Sequence, residues 1–532
     1  MTPPAHGAGF AGYAPGHKGI CIVADILFIM PRFRETIGDK ITGSVGPPLP
    51  FLWLGAVLEQ KGYSIKIVDA GLHSSIKNVI ASELDKKPVF AGFYSHVGEP
   101  VKSLIELSSF VKEYSPETPV IHGGVLPSMN PELTLKEPYV DIVVIGEGEE
   151  TVLEVTAALK DKKPYDNVKG IGFKKGGNII INPDRPLLDM DRLPLPAWHL
   201  VETDIEKYVL TSGYRKDGTA IPGLHILSSK GCPANCSFCF SRQYQKRYRY
   251  KSAERTLDEI ECLVKNFGVS TFYYHDEDFI IHRKRMIEFC KGIKDRDLHI
   301  RFSCQTRIDS VDEPLIKLAS EAGLTGLSFG VEFCKEDVLK SYKKGINIEQ
   351  VFRVAEMCRK YNILSHFNFI CGYPSETYGD MMTTVKVSER LKEINPFSEF
   401  LLYVYTPNYG TAEYRELEQK YGFYPKTLAD CEWLHWSTFK NRKWIKNLTL
   451  SENFYSLYML YFKNTNPLFH SDETPALYKS KLVRKWSYLR LKGPLLGFVP
   501  EISLYQFLRY LFRIWVLWKN RFYCTDERKM RC

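Results

Sequence analysis

No uninterrupted apolar run in these 532 residues is long enough to cross a bilayer. A secretory signal is also missing, because Met1 to Lys18 is rich in Gly, Pro and Ala without an apolar core. The cysteine count, 13, is odd and spread over a long chain, which argues against a disulfide framework. A reducing, cytoplasmic setting fits better, with most thiols serving as small core residues. No solenoid-type repeat is visible, and 44% hydrophobic residues exclude a disordered composition. Charge of one sign is scarce too: 71 basic against 62 acidic residues leave a net charge of +9, mostly interspersed. The surplus gathers at Arg242 to Lys251 and near the C-terminus. Such a balance predicts no nucleic-acid partner, although the bases and aromatics of residues 242–251 keep a metal-containing nucleic-acid-binding protein as an alternative.

The chain is longer than one hydrophobic core serves, so two or three domains are expected. Its first part alternates strand-like and helix-like patterns. Ile20 to Met30, Ser64 to Asp69, Val89 to Tyr94, Val120 to His122 and Asp141 to Ile145 read as strands. Leu52 to Lys61 and Val101 to Glu113 read as helices between them. That alternation predicts a Rossmann-like, doubly wound parallel sheet, with ligands beyond the carboxyl ends of its strands. Those ends carry Ser95-His96, His122-Gly123-Gly124 and Gly146-Glu147-Gly148-Glu149.

Residues 162–186 read as turns and a small hairpin, and Leu193 to Trp198 as an extended, proline-fixed stretch. Six strand–helix units follow, with strands at Gly223 to Ser228, Thr271 to His275, His299 to Cys304, Gly326 to Val331, Leu364 to Ile370 and Glu399 to Tyr405. They suit a partial (β/α) barrel with its site at the strands' carboxyl ends. From Pro425 onward the pattern is helical and aromatic. The expected division is a flexible N-terminus (1–18), a Rossmann-like domain (19–160), a linker (161–215), a partial barrel (216–424) and a helical C-terminal region (425–532). Ser503 to Phe522 reads as an aromatic helix with Arg509 and Arg513 on one face. It fits either a helix docked on the barrel or one lying in a membrane interface, which would suit a lipid or other apolar substrate.

Cys232-Pro-Ala-Asn-Cys236-Ser-Phe-Cys239 follows the first barrel strand, so three thiols share one loop. Thiolates at such spacing wrap an iron–sulfur cluster, and three of them leave one iron of a four-iron cluster open. The alternative, a zinc knuckle, wants a fourth ligand, and no Cys or His stands at that spacing (His225 lies earlier, on the strand).

The Cys-x3-Cys-x2-Cys spacing, with Phe238 before the last cysteine, resembles the signature of radical S-adenosylmethionine (SAM) enzymes. Further stretches match in order: His275-Asp276-Glu277-Asp278-Phe279, Gln305-Thr306-Arg307, Phe329-Gly330-Val331-Glu332, Gly372 to Thr377, and Tyr405 to Thr411. In the last, Tyr409 stands where the family usually has proline. The resemblance implies a [4Fe-4S] cluster on Cys232, Cys236 and Cys239, SAM chelated to its open iron, and a 5′-deoxyadenosyl radical after reductive cleavage. It makes Phe238, Glu277, Arg307 and Glu332 candidates for SAM contacts. A sheet of this type before the barrel resembles the family's cobalamin-binding domain, with Ser95, Gly123, Gly124, Ser128, Glu147 and Gly148 as candidate cobalamin contacts. The Asp-x-His-x-x-Gly motif that supplies a cobalt-ligating histidine elsewhere is absent, so no protein histidine is expected on cobalt. The implied activity is methyl transfer from SAM through methylcobalamin to an unactivated carbon or phosphorus of a small-molecule substrate. Cyclisation, rearrangement or oxidation with the same cofactors is the alternative. A reducing donor such as flavodoxin or ferredoxin is implied as well.

Overall fold

The computed structural model describes residues 24–32, 36–37, 40–41, 46–214, 220–435, 438–462 and 481–492. The N-terminal half builds one sheet from β1 (Ile26–Met30), β2 (Ile65–Asp69), β3 (Phe90–Tyr94), β4 (Val120–Gly123), β5 (Ile142–Val144), β6 (Ile171–Lys175) and β7 (Asn178–Ile181). Their spatial order is β2-β1-β3-β4-β5-β6-β7. The first five are parallel, and β6 and β7 return antiparallel along the edge. Strand order therefore reverses between β1 and β3, and a doubly wound sheet binds ligands at that reversal.

Helices cover both faces because both faces are apolar. Leu27, Ile29, Val68, Ala91 and Phe93 meet α2 (Ile76–Leu84) and α3 (Pro100–Tyr114) in a core that runs on into the barrel. Ile26, Phe28, Phe90, Ile142 and Val144 lie against α1 (Leu49–Glu59) and α4 (Glu149–Lys160). Phe28 and Phe51 stack there at 4.6 Å.

The stretch expected to be a linker contributes to both sheets. Gly176 and Gly177 both have positive φ, +59° and +80°, and turn a hairpin that buries Ile171 and Phe173 on the edge of the first sheet. The expected hairpin is present, and apolar burial docks it on the sheet edge. Residues Trp198–Tyr208 form a 3-10 stretch pinned on both sides. Trp198 Nε1 donates to Glu259 in the barrel at 3.2 Å, and Tyr208 Oη donates to Asp69 at the end of β2 at 3.2 Å.

The second sheet runs β8 (Val209–Tyr214), β9 (Ala220–Ile226), β10 (Thr271–Tyr274), β11 (Arg301–Thr306), β12 (Leu324–Glu332), β13 (Leu364–Cys371) and β14 (Glu399–Val404), in that spatial order. Only β8 is antiparallel; from β9 to β14 each strand pairs in parallel with the next in sequence. Strictly alternating strands and helices in sequential order curl into a half barrel. The helices start on side-chain caps: Ser252, Asp312, Asn347 and Thr377 each accept a backbone N–H of the first turn. In the C-terminal region, turns and a 3-10 stretch at Ala429–Trp433 lead to two helices, α5 (Leu448–Phe462) and α6 (Lys481–Lys492). Among the described residues no helix is long and apolar enough to cross a membrane. Ser503 to Phe522 lies outside the described residues.

Candidate active site

The cysteine loop leaves the carboxyl end of β9 and closes at its neck through a short ladder, Ser229–Lys230 against Arg249–Tyr250. Asp276, two residues past the end of β10, is fully buried and accepts Ser228 N at 2.8 Å and Ser228 Oγ at 2.7 Å. Burial pushes its carboxyl up, against the pull of Arg285, which also hydrogen-bonds Ser228 Oγ and donates to Lys251 O at 2.7 Å. Glu277 accepts Gly231 N at 3.1 Å and Ser241 Oγ at 3.3 Å, so one carboxylate ties both flanks of the cysteine loop. Asp278 takes Thr306 Oγ1 at 2.7 Å and Ser310 Oγ at 2.6 Å, joining the ends of β10 and β11.

Arg307 is the cation nearest the thiols. Its Nη1 reaches Cys236 Sγ at 3.3 Å, while Asp309 holds Nε and Nη2 at 2.8 Å each and Lys344 O accepts Nη2 at 2.7 Å. Glu332, at φ +72°, folds back to Lys344 Nζ at 3.1 Å. A Cβ on Gly330 would lie 2.2 Å from that carboxylate, so glycine is what permits the fold-back. Phe238 packs edge-on against Phe333 at 5.7 Å and Tyr342 at 5.9 Å, and its carbonyl accepts Asn408 Nδ2 at 3.2 Å. Burial pushes the Cys239 thiol up to about 11, with Cys236 and Cys232 close enough to add to the rise.

In the first sheet, Gly124 has φ +102°, and a Cβ there would sit 2.7 Å from the Tyr94 ring and 2.9 Å from Ser95 O. Only glycine tolerates both the angle and the approach. Ser128 Oγ donates to Gly124 O at 2.6 Å and accepts Gly146 N at 2.9 Å, which staples the ends of β4 and β5 together. Ser95 is buried at the end of β3 with an unpaired hydroxyl. Gly148 precedes α4 and packs on Leu54, while Gly123 has ordinary space around it. Glu147 points elsewhere: it binds Lys230 and Arg249 from the barrel domain.

Residues 226–387 match the model of the Radical SAM superfamily, and residues 39–156 match the B12 binding domain. An uncharacterized methyltransferase of Pyrococcus horikoshii, PH0819, is 29% identical over 69% of this chain and 78% of its own length. The anaerobic magnesium-protoporphyrin IX monomethyl ester cyclase of Rubrivivax gelatinosus is 30% identical over 68% of this chain and 65% of its own. Among solved structures, the cobalamin-dependent SAM radical enzyme OxsB with aqua-cobalamin bound matches 91% of this chain and 75% of its own, with a TM-score of 0.67 at 19% identity, a likeness of fold. This chain is a cobalamin-dependent radical SAM enzyme. Its cofactors are a [4Fe-4S] cluster, SAM and cobalamin.

The residues of this radical SAM enzyme fit those groups. Among the described residues no three His, Cys, Asp or Glu side chains converge on a single ion. A cluster does not require that, since each thiolate binds its own iron. The three thiols share one loop, and Arg307 supplies positive charge beside them. At the strand ends of the first sheet, the buried, unpaired Ser95 hydroxyl suits a polar group of a cofactor. Two histidines lie at these strand ends. His122 is wholly buried, turned onto Ser108 of α3 at 2.9 Å, with burial pushing it down to about 3. His96 turns Nδ1 to Val97 O at 2.9 Å.

Three features escaped the sequence reading. Lys344 lies far along the chain from the cysteines, yet its backbone supports Arg307. Asn408 holds the carbonyl of Phe238, a contact spanning 170 residues that no local pattern signals. The basic stretch 242–251 is not a free cationic surface: Lys246 pairs with Asp184, Arg249 with Glu147 and Lys251 with Glu259. Its carboxylate partners lie mostly in distant segments, so composition alone exaggerated its charge.

Proposed function

We propose that this enzyme transfers a methyl group from SAM to an unactivated carbon or phosphorus of a small molecule. When bound, the cluster supplies an electron to cleave SAM, and cobalamin supplies a cobalt centre that carries the methyl group. The observation that carries the reading is that the cysteine loop and the cobalamin crevice meet at one seam, so a single substrate can be served from both. The similarity to a methyltransferase supports it.

The chain's own residues divide the work. Cys232, Cys236 and Cys239 hold the cluster. Glu277 fixes both flanks of their loop, and Arg307 offsets thiolate charge at Cys236. Phe238 and Glu332 border the SAM site from the loop and from the end of β12. Gly124, Ser95, Ser128, Gly123 and Gly148 form the crevice for cobalamin, with Glu147 behind it. The substrate enters the half-barrel, whose inner side is polar. Tyr273, Ser328, His366 and Asn368 alternate with the apolar residues Phe272, Phe329, Phe367 and Phe369. Asn368 Nδ2 donates to Ser328 Oγ at 3.1 Å. His225 Nε2, His366 Nε2 and Asn368 Oδ1 have no partner in the structure. Burial pushes His366 down to about 4, so it is neutral at physiological pH. Neutral donors and acceptors of this kind suit an uncharged polar substrate group. The electron comes from a flavodoxin- or ferredoxin-like donor in the cytoplasm.

The cyclase-type reading rests on the similarity to the Rubrivivax cyclase. Product analysis separates the two after anaerobic reconstitution with iron, sulfide and cobalamin. Methyl transfer yields S-adenosylhomocysteine and 5′-deoxyadenosine together when substrate is present. Deoxyadenosine without S-adenosylhomocysteine would replace it with the cyclase-type reading.

A further inference from the structure

Glu147 grips both strands of the neck that closes the cysteine loop. Its Oε1 accepts Lys230 Nζ at 3.1 Å and Arg249 Nη1 at 2.7 Å. Its Oε2 accepts the same Nη1 at 2.8 Å and Leu188 N at 2.8 Å. Glu149 takes Lys230 Nζ as well, at 2.9 Å. The ammonium groups of Lys230 and Lys251 each lie 4.6 Å from the centre of the Trp53 ring on α1.

This is no surface ion pair. The side chains of Lys230 and Glu147 are 13% and 9% exposed. Exposed pairs slide and are screened. A desolvated, multiply bonded pair holds one geometry, because any shift leaves a buried charge short of a partner. The cations Lys230 and Arg249 face the carboxylates Glu147 and Glu149, so the knot is balanced in charge.

Contacts lead away from this knot in two directions. Gly146, next to Glu147, donates to Ser128 Oγ at 2.9 Å, and Ser128 donates to Gly124 O at 2.6 Å on the crevice floor. Gly231, next to Lys230, donates to Glu277 at 3.1 Å, and Cys232 follows it. An unbroken run of short contacts therefore joins the cobalamin crevice to the first cluster ligand.

We propose that Glu147 is a positioning residue that sets the distance and orientation between the cobalamin crevice and the cluster loop. It acts through Lys230 and Arg249 and touches no reacting atom. Chemistry shared between two fixed cofactors depends steeply on such placement: a misplacement of about 1 Å can cost about a hundredfold in rate. The proposal goes beyond methyl transfer, since it holds for any reaction that uses both cofactors, and product analysis does not enter its test.

Pulsed electron paramagnetic resonance on the full chain, loaded with reduced cluster and cob(II)alamin, reads the distance distribution between the two spins. Glu147→Gln keeps cluster absorbance and cobalamin content but shifts and broadens that distribution. Glu147→Asp, which keeps the charge on a shorter arm, falls between it and the unaltered protein. Glu149→Gln, which loosens Lys230 alone, changes it least. An unaltered distribution in Glu147→Gln overturns the proposal. Should that variant fail to accumulate folded, Glu149→Gln and Arg249→Lys carry the test, and unaltered distributions in both overturn it equally.

Discussion

The two sheets are both mainly parallel and both clad in helices, yet they make different kinds of site. In the first, the order β2-β1-β3-β4-β5 reverses once, and the helices diverge at that single point. The neighbouring strand ends, after β3, β4 and β5, carry mainly glycine and serine. In the second, strands β9 to β14 follow one another in sequence and the sheet curls. Every strand end then opens onto one mouth, so charged side chains remote in sequence can meet around the cysteines. The difference teaches that an open sheet offers shape, built from what side chains leave out. A curled sheet offers chemistry, built from what they bring in.

The sharpest way to break that contrast is to remove the chemistry. Changing Cys232, Cys236 or Cys239 to Ala should abolish iron–sulfur absorbance and SAM cleavage, while the first sheet still takes up cobalamin. Absorption spectra and deoxyadenosine assays check this, and full SAM cleavage by such a variant would refute the cluster assignment.

Filling the shape is next in size. Gly124→Val forces a β-branched residue to φ +102° and into the Tyr94 ring. The backbone strain alone is about 1–3 kcal/mol. Cobalamin content of the purified protein should fall sharply while cluster content is kept, measured by cobalt and iron analysis on one sample. Equal loss of both would mean that the two sites are not separable in this way.

The smallest effect concerns Glu376, on the loop after β13. It accepts Gly372 N at 2.7 Å, and burial pushes its carboxyl up to about 8. A carboxyl raised in the folded state holds its proton more tightly there than when unfolded. Stability from this group is then complete below its usual range, about 4.5, and falls as pH rises towards about 8. Glu376→Gln keeps the acceptor and removes the titration. Thermal melts should show the variant gaining on the unaltered protein from acid to mildly alkaline pH, and parallel curves would contradict the assignment.

Much of this was legible in the chain itself, for physical reasons that differ by level. Strands such as Phe90–Tyr94 and Leu364–Cys371 announce themselves because burial demands apolar residues at regular intervals. The cysteine loop announces itself because one short segment carries all three cysteines. Gly124 did so less directly, as a glycine pair at a strand end. The hairpin at residues 171–181 is legible too, because its turn composition is local, but its docking on the sheet edge is not, because that rests on the burial of Ile171 and Phe173.

The amino-acid sequence by itself thus determined the two sheets and the grouping of three cysteines on one loop, since each rests on periodicity or on neighbours along the chain. Only tertiary structure decided what Glu147, Lys344 and Asn408 do. Their partners lie in remote segments, at Lys230 and Arg249, at Arg307 and Glu332, and at Phe238. A buried charge or amide takes its role from whatever folding brings within hydrogen-bond reach, and no pattern of spacing along the chain records that.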